Sequence, residues 1–409
     1  MKPIPETRAE RVLIYSHDTY GLGHLRRSLA IAERLLRGAP RRSVLIATGS
    51  PRAPSFDTTP GCDLLKLPCV LKQPDGGYAA RTLRTDVADL AALRSALLRT
   101  AAAAFAPDLV LVDHSPLGWR GELLPMFEDL ARAPRRPRLV LGLRDVVDDA
   151  ETVRACWMKE GVWPRIDGLY DRVLVYGDPT VTATAQELGL VDRLGDRLTF
   201  TGYLGRPLPR IPSTDPRPMV LVTTGGGGDG GQVLRAAAAY LESNPRPDLR
   251  FTAVAGPFLS PDRAEELSRR FAAAGAAVDF RGFAPDMDRL WGEARAAIAM
   301  AGYNSAVEAL SARTPTLFIP RTAPRLEQAL RAERLAAAAP CLETLRVEQA
   351  TPAAIGAFLD RALATSHECC CPRFALDGLD RTAQACEEEL ARGAATRARP
   401  VGATSGVGR

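Results

Sequence analysis

The chain has 409 residues, of which 46% are hydrophobic and 25% are charged. These values predict a globular protein of about two or three domains, and they exclude a collagen-like or a largely disordered chain. The net charge of +5 comes mainly from arginines spread among 48 acidic residues, which argues against a nucleic-acid partner, because phosphate-backbone binders concentrate their positive charge.

Short apolar runs alternate with helical patterns in the first half of the chain. Helices are predicted at about 25–37 and 86–105. Strands are predicted at 12–15, 44–47, 64–67, 109–112, 139–143 and 173–176. This alternation is typical of βαβ units on a parallel sheet.

A proline-rich stretch at 201–218 interrupts this alternation, which then restarts. In this second series of alternating elements, a helix is predicted at 232–241. Strands are predicted at 219–222, 251–255, 278–280, 297–300 and 316–319. The sequence therefore predicts an α/β fold of two Rossmann-like, doubly wound domains that face a cleft. The predicted boundaries are an N-terminal domain 1–204, a linker 205–218, a C-terminal domain 219–394 and a flexible tail 395–409.

The loop after the first predicted strand, residues 16–24, is the first candidate site. Gly21 and Gly23 allow a sharp turn, and the following helix offers its positive N-terminus to an anion. His24 lies in the first turn of that helix, facing the cleft. Arg26 occupies the place of the third glycine in a dinucleotide fingerprint, which weakens an oxidoreductase interpretation.

Topology predicts a partner for His24. If the strand order is 3-2-1-4, the loop that begins at Asp113 opens beside the His24 loop. A carboxylate that orients an imidazole and raises its basicity is the arrangement of a general base. The alternative is that Asp113 caps a helix and His24 bonds only to the backbone.

The glycine-rich run that follows the strand at 219–222 is the second candidate site. Gly225, Gly226 and Gly227 lie between a strand and a helix, and their backbone amides could cradle a phosphate. A Walker loop is excluded, because no Gly-Lys-Ser/Thr follows. The alternative is a flexible hinge.

A third loop joins the strand at 297–300 to a helix. Amides of Gly302 and Asn304, together with Ser305, could hold a diphosphate, and Glu308 could accept hydrogen bonds from both hydroxyls of a ribose. Local capping by Asn304, Ser305 and Glu308 is the alternative, and it is compatible with ligand binding.

A fourth loop follows the strand at 316–319. Glu327 and Gln328 begin the next helix at the cleft, where they could exchange hydrogen bonds with sugar hydroxyls. Alone, these residues would indicate only a solvated helix start. Their interest is that this loop is the third on the cleft side of one domain.

Cysteine usage predicts neither a disulfide framework nor a metal site. The eight cysteines include no CxxC pair. The run 367–371 contains a histidine and three adjacent cysteines, but adjacent cysteines point in different directions and rarely close one tetrahedral site.

The combination of these loops resembles a known family. A Gly-x-Gly-His loop, a glycine-rich loop, Gly-Tyr-Asn-Ser-x-x-Glu and a Pro-Arg loop with Glu-Gln are similar to the GT-B glycosyltransferases of family 28, the group that includes the N-acetylglucosamine transferase of peptidoglycan synthesis. The segment 15–27 resembles a bacterial branch of predicted glycosyltransferases. The resemblance covers most of residues 11–390.

The resemblance implies a function and roles for the candidate residues. The C-terminal domain would bind a nucleotide sugar, expected to be a UDP sugar, and the N-terminal domain the acceptor. Segments 225–228 and 302–305 would surround uracil and diphosphate, Glu308 would hold the ribose, and Glu327 with Gln328 would contact the sugar. His24 would be the base in the transfer of a hexose or N-acetylhexosamine, with inversion at the anomeric carbon. The resemblance implies no metal and no other cofactor.

Two alternative functions remain at this stage. The Gly-x-Gly-His-x-x-Arg loop also resembles nucleotide-sugar hydrolases of nonulosonic acid synthesis, which use water as acceptor. A protein that binds a nucleotide sugar without turnover is the third interpretation.

The acceptor and the location are predicted only in outline. The acceptor is expected to be a small molecule, a glycan or a lipid-linked compound. No apolar run approaches the roughly 18 residues of a transmembrane helix, and the polar start is unlike a signal peptide, so we expect a cytoplasmic protein. The basic pairs at 41–42 and 135–136 are compatible with peripheral contact at the inner face of a membrane, although a generally arginine-rich surface explains them equally well.

Overall fold

The computed structural model describes residues 8–17, 22–73, 77–226, 228, 230–274, 277–366 and 370–398. In chain order the strands are β1 (Arg11–Ser16), β2 (Ser43–Thr48), β3 (Cys62–Lys66), β4 (Val70–Lys72), β5 (Tyr78–Ala80), β6 (Leu109–Asp113), β7 (Arg138–Arg144), β8 (Arg172–Tyr176), β9 (Leu198–Phe200), β10 (Met219–Thr223), β11 (Arg250–Val254), β12 (Ala277–Arg281), β13 (Ala294–Ala299), β14 (Thr316–Phe318) and β15 (Leu342–Thr344).

The helices surround these strands. They are α1 (Gly23–Leu36), α2 (Val87–Phe105), α3 (Leu124–Arg132), α4 (Ala150–Lys159), α5 (Val162–Leu169), α6 (Thr184–Glu187), α7 (Leu190–Leu194), α8 (Gly231–Ser243), α9 (Pro261–Ala273), α10 (Met287–Glu293), α11 (Tyr303–Ala312), α12 (Glu327–Ala338), α13 (Pro352–Ala364) and α14 (Gly378–Ala398). Within the described ranges, none of these helices is long and apolar enough to span a membrane.

The first sheet has the strand order β3-β2-β1-β6-β7-β8-β9, and all its strands are parallel. Its central strands β1 and β6 are apolar runs because helices cover both faces of a parallel sheet. Their register pairs Val12 with Leu109 and Tyr15 with Val112. The predicted adjacency of the first strand and the strand at 109–112 is therefore confirmed.

The second sheet is also parallel, with the order β12-β11-β10-β13-β14-β15. Its central strand β10 is completely buried, and β11 and β13 lie on either side of it. The chain order reverses at β10, so the loops after β10 and β13 flank a crevice at the carboxyl ends of the strands. This is the position where ligands of doubly wound sheets bind.

Several short strands escape detection in the sequence. The antiparallel pair β4 and β5 and the edge strands β9 and β15 each have three residues. Three residues are too few to establish an alternating pattern, so the sequence shows no strand signal there.

The last helix, α14, returns to the first sheet, although the predicted boundaries assign it to the C-terminal domain. Its Glu389 carboxylate lies 2.6 Å from Arg138 of β7 and 3.4 Å from Arg172 of β8. The helix continues to residue 398, where a flexible tail from 395 was predicted, and residues 399–409 lie outside the described part. Buried Cys386 and Leu390 of this helix also join the apolar core of the first sheet. These contacts link distant segments, so no local pattern reveals them.

The same helix changes the interpretation of one predicted basic pair. The Arg42 side chain is buried and pairs with Glu10 at 2.8 Å and Glu387 at 3.3 Å. Arg42 therefore does not form an exposed basic pair with Arg41, and this argument for contact with lipid headgroups is wrong.

Candidate functional site

A cavity of about 360 Å³ lies where the carboxyl ends of the strands in the two sheets meet. Its volume lies within the range of small-molecule binding sites. The predicted site residues that line it are Gly23, His24, Gly225, Gly226, Gly302, Asn304, Ser305, Glu308, Glu327 and Gln328. Asp113 contacts His24, and the predicted Gly21 and Gly227 lie outside the described residues.

His24 and Asp113 meet because β1 and β6 are neighbours. The loop after β1 leads into α1, which begins at Gly23, so His24 lies in the first turn. Asp113 is the last residue of β6. The Nδ1 atom of His24 lies 2.6 Å from Oδ2 of Asp113. The structure therefore brings the predicted histidine and carboxylate into direct contact.

Arg27 holds the Asp113 carboxylate in place. Its Nε donates to Oδ1 at 2.9 Å and its Nη2 to Oδ2 at 2.7 Å. Burial opposes ionisation of Asp113, but Arg27 and then His24 hold the pKa of this carboxyl well below its usual range. Because an ionised carboxylate only accepts hydrogen bonds, His24 carries its hydrogen on Nδ1. Nε2 is then the basic nitrogen of a side chain that lines the cavity.

The His24 imidazole is neutral at physiological pH. Burial lowers its pKa to about 4, and the nearby guanidinium groups of Arg27 and Arg144 act in the same direction, while Asp113 opposes them. A neutral imidazole can accept a proton, so the pair has the arrangement of a general base and the carboxylate that orients it.

This pKa predicts the acid limb of the activity profile. Protonation removes the base, so kcat/KM should fall only as the pH decreases through about 4 and should be nearly constant between pH 6 and 8. The measurement is kcat/KM as a function of pH. Loss of activity with an apparent pKa near 6.5, the ordinary value of histidine, would contradict the assignment.

Two further histidines, not predicted as site residues, lie beside His24. The ring centroids of His17 and His114 are 5.8 and 5.3 Å from that of His24, and burial lowers the pKa of both imidazoles. In the part of the chain that the structure describes, no group of three histidine, cysteine or acidic side chains is arranged to hold a metal ion. Residues 367–369 of the cysteine run lie outside that part.

The glycine-rich loop after β10 packs closely against its surroundings. Gly225 has a φ of 65°, and a Cβ atom there would lie 3.5 Å from Oγ of Ser305. A Cβ atom at Gly230 would lie 2.2 Å from that of Thr224. The positive φ explains the glycine at 225, and close packing on Thr224 explains the glycine at 230, just before α8. A glycine-rich turn between a strand and a helix is a setting in which backbone amides bind anions.

The loop after β13 leaves a helix N-terminus without a side-chain cap. Gly302 occupies the N-cap position of α11, and among the described residues no side chain caps the first amides of this helix. Asn304 instead donates to the carbonyl oxygen of Gly23 at 3.1 Å, which joins the loops of the two sheets. The capping alternative for this loop is therefore wrong, and the uncapped amides of α11 lie at the cavity, where they favour an anion.

Glu308 lies one turn further along α11, with both carboxylate oxygens engaged. Oε2 accepts from Trp291 Nε1 at 2.8 Å, and Oε1 lies 2.6 Å from Nη2 of Arg26. Arg26, at the position of the missing third glycine, is a site residue that sequence analysis did not identify, because its partner comes from the other sheet. Each oxygen has a second lone pair and can accept a further hydrogen bond.

Glu327 and Gln328 are buried at the start of α12. Arg321 donates to Oε1 of Glu327. Burial alone would raise the pKa of Glu327, but neighbouring guanidinium groups, that of Arg144 first, hold it below its usual value. Among the described residues, Oε2 of Glu327 and Oε1 of Gln328 have no hydrogen-bond partner. Two buried acceptors without partners are suitable sites for ligand hydroxyls.

Other lining residues were not predicted. Phe283, Ala284 and Pro285 follow β12, and the Phe283 side chain is 39% exposed at the cavity. The signal that could have identified them is a glycine and an aromatic residue directly after a strand, the same strand-to-loop position as in the other candidate loops.

A buried ion pair joins the two halves of the cavity wall. Arg331 of α12 donates to Asp145, which follows β7, at 2.8 Å, and both side chains are completely buried. Arg331 also donates to the carbonyl oxygens of Ala301 and Val146. This pair was not predicted, because it requires knowledge of how the two sheets are placed.

Comparisons with known structures identify the fold. The calicheamicin glycosyltransferase CalG4 is 18% identical, with a TM-score of 0.56 over 96% of this chain and 98% of that one. MurG of Acinetobacter baumannii is 12% identical, with a TM-score of 0.57 over 93% and 99%. A putative UDP-N-acetylglucosamine 2-epimerase from Listeria monocytogenes is 13% identical, with a TM-score of 0.60 over 96% and 99%.

These similarities define the class of fold. No family model and no curated protein matches the chain. The two parallel Rossmann-like sheets and their match to glycosyltransferase structures confirm the predicted α/β fold of the GT-B type. Because the structures that share this fold include an epimerase as well as glycosyltransferases, the fold alone does not define the reaction.

Proposed function

We propose that the protein is a glycosyltransferase that takes a hexose or N-acetylhexosamine from a nucleotide sugar. The observation that carries this proposal is the presence, at one cavity, of the His24 imidazole held by the Asp113 carboxylate and of the uncapped N-terminus of α11. A base and an anion site at the two sides of one cavity are what transfer from a sugar diphosphate requires.

The proposed donor site belongs to the second sheet. Amides of the glycine-rich loop and of α11 bind the diphosphate, and Glu308 accepts hydrogen bonds from the ribose. Phe283 offers an apolar face to the nucleobase, which we expect to be uracil. Glu327 and Gln328 use their free acceptor oxygens for sugar hydroxyls.

The proposed reaction inverts the anomeric carbon. His24 removes the proton of an acceptor hydroxyl, whose oxygen attacks the anomeric carbon opposite to the diphosphate. The bond from that carbon to the diphosphate oxygen breaks, and the nucleoside diphosphate leaves with the electron pair. Asp113 stabilises the imidazolium, and helix ends and basic side chains stabilise the leaving group, so we propose no metal and no other cofactor.

The acceptor is a small molecule, a glycan or a lipid-linked compound in this proposal. Hydrolysis is the second candidate, because a base that deprotonates an alcohol can also deprotonate water. Release of free sugar without an acceptor would favour hydrolysis. Location in the cytoplasm and contact with a membrane stay predictions.

Glu308→Gln tests the donor site. A hydrogen bond to a charged group contributes about 1.5–3 kcal/mol, so the variant should bind UDP about 10 to 100 times more weakly, as measured by isothermal titration calorimetry. The matched control is 2′,3′-dideoxy-UDP, which lacks both ribose hydroxyls. Its affinity should be nearly equal in the two proteins. An equal loss for both nucleotides would show that the substitution acts through Arg26 or Trp291 and would overturn the ribose role.

A further inference from the structure

One cation of the cavity lacks a carboxylate partner. Among the described residues, the cavity is lined by five arginines, and four of them pair with an acid: Arg26 with Glu308, Arg27 with Asp113, Arg321 with Glu327, and Arg331 with Asp145. The fifth, Arg144, makes no ion pair within the described part of the chain. Its Nη2 lies 3.1 Å from Nε2 of His114, and its Nε is buried without a hydrogen-bond partner there.

Arg144 lies on the same side of the cavity as the proposed base. It is the last residue of β7, which pairs with β6, and β6 ends at Asp113. Its Nη2 contacts His114, whose ring centroid lies 5.3 Å from that of His24, so the guanidinium is close to the proposed base. The loops of the proposed donor site, in contrast, belong to the second sheet.

The charge of Arg144 persists despite its surroundings. Burial lowers its pKa to about 10, and the positive charges of Arg331 and Arg27 contribute in the same direction. The group is therefore protonated at pH 7. The carboxylates of Glu327 and Asp145 act in the opposite direction, but neither forms an ion pair with Arg144 in the described part of the chain. A partly buried guanidinium whose Nε atom has no hydrogen-bond partner there is a favourable site for an anion.

We propose that Arg144 binds a carboxylate or phosphate group of the acceptor. This inference rests on the proposed function, since it assigns the acceptor to the cavity beside His24. The planar guanidinium matches both kinds of anion by paired hydrogen bonds. Binding there holds the acceptor on the first sheet, with its hydroxyl next to the base and facing the donor.

The test uses sulfate as the probe and UDP to fill the donor site. The chain has only four histidines, so nitrogen-15 labelling of histidine gives few imidazole signals to follow by NMR. With UDP saturating, sulfate should bind saturably and shift the cavity histidine signals. Arg144→Gln should weaken sulfate binding by about tenfold or more, whereas Arg144→Lys, which keeps the charge, should retain part of it.

Controls separate the outcomes. Arg99→Gln removes an exposed arginine that does not line the cavity and should leave sulfate binding unchanged. Thermal unfolding checks that each variant is folded. If Arg144→Gln does not fold, the comparison of the wild type with Arg144→Lys still tests the proposal. Equal sulfate affinity in the wild type and a folded Arg144 variant would overturn the proposal. So would displacement of sulfate by UDP, because Arg144 would then serve the diphosphate.

Failure of the proposed function gives a different result. If UDP itself does not bind, the donor site is wrong, and the sulfate titration without UDP still reports whether Arg144 forms an anion site. If UDP binds and sulfate does not bind with it, only the acceptor inference fails.

Discussion

Replacing His24 with alanine is expected to lower turnover of the nucleotide sugar by about two to four orders of magnitude. The Nε2 atom is the proposed proton acceptor, and no other described histidine contacts a carboxylate as His24 contacts Asp113 at 2.6 Å. UDP affinity should be nearly unchanged, because the proposed nucleotide contacts belong to the second sheet. The effect should therefore appear in kcat and not in binding of UDP.

The measurement is the rate of UDP release, with UDP affinity determined separately. His17→Ala is a matched control, because this half-buried histidine lies beside His24 but bonds to the hydroxyl of Tyr15. It should lose much less activity. Asp113→Asn should be impaired in turnover as well, since an amide can stabilise the wrong tautomer. Unchanged turnover in His24→Ala, or equal losses in His24→Ala and His17→Ala, would contradict the assignment.

Replacing Asp145 with alanine is expected to reduce the free energy of unfolding by about 3–5 kcal/mol. The substitution leaves Arg331 completely buried and without its carboxylate, 2.8 Å away in the native protein. Because this pair connects α12 to the loop after β7, its loss should also loosen the contact between the two sheets. Denaturation by urea, followed by circular dichroism, measures the effect.

A double-mutant cycle identifies the cause. Arg331→Met alone should also be strongly destabilising, but the double variant should be much more stable than the sum of the two losses predicts, because neither charge is then left unpaired. Asp129→Ala, which removes an exposed partner of Arg99, is the control and should change stability little. Strictly additive losses would show that the two residues do not act as a pair.

Much of this fold could be predicted from the chain because parallel strands buried on both faces are apolar runs. Strands β1, β6 and β10 are recognisable in this way. The contact between His24 and Asp113 then follows from strand order alone. The loops after β10, β13 and β14 are recognisable because a glycine or a proline follows soon after each strand.

The contacts between the sheets could not be predicted in the same way. The pairs Arg26–Glu308 and Arg331–Asp145 join residues of different sheets, and an arginine-rich chain offers many equivalent candidates. The return of α14 to the first sheet involves similar long-range ion pairs together with buried apolar contacts. Arg144 differs from the other described arginines of the cavity because it forms no ion pair with a described acid. This difference can be recognised only from the three-dimensional structure, which shows the partners of the other four.

The most direct test of the proposed function is binding and turnover of a panel of UDP and dTDP sugars by the purified protein, with products identified by NMR. The proposed function predicts saturable binding of at least one UDP sugar, competition by UDP and weaker binding in Glu308→Gln. Little turnover before an acceptor is added would favour a transferase, and rapid release of free sugar a hydrolase. Absence of binding to any nucleotide sugar would contradict the donor site and the proposed function with it.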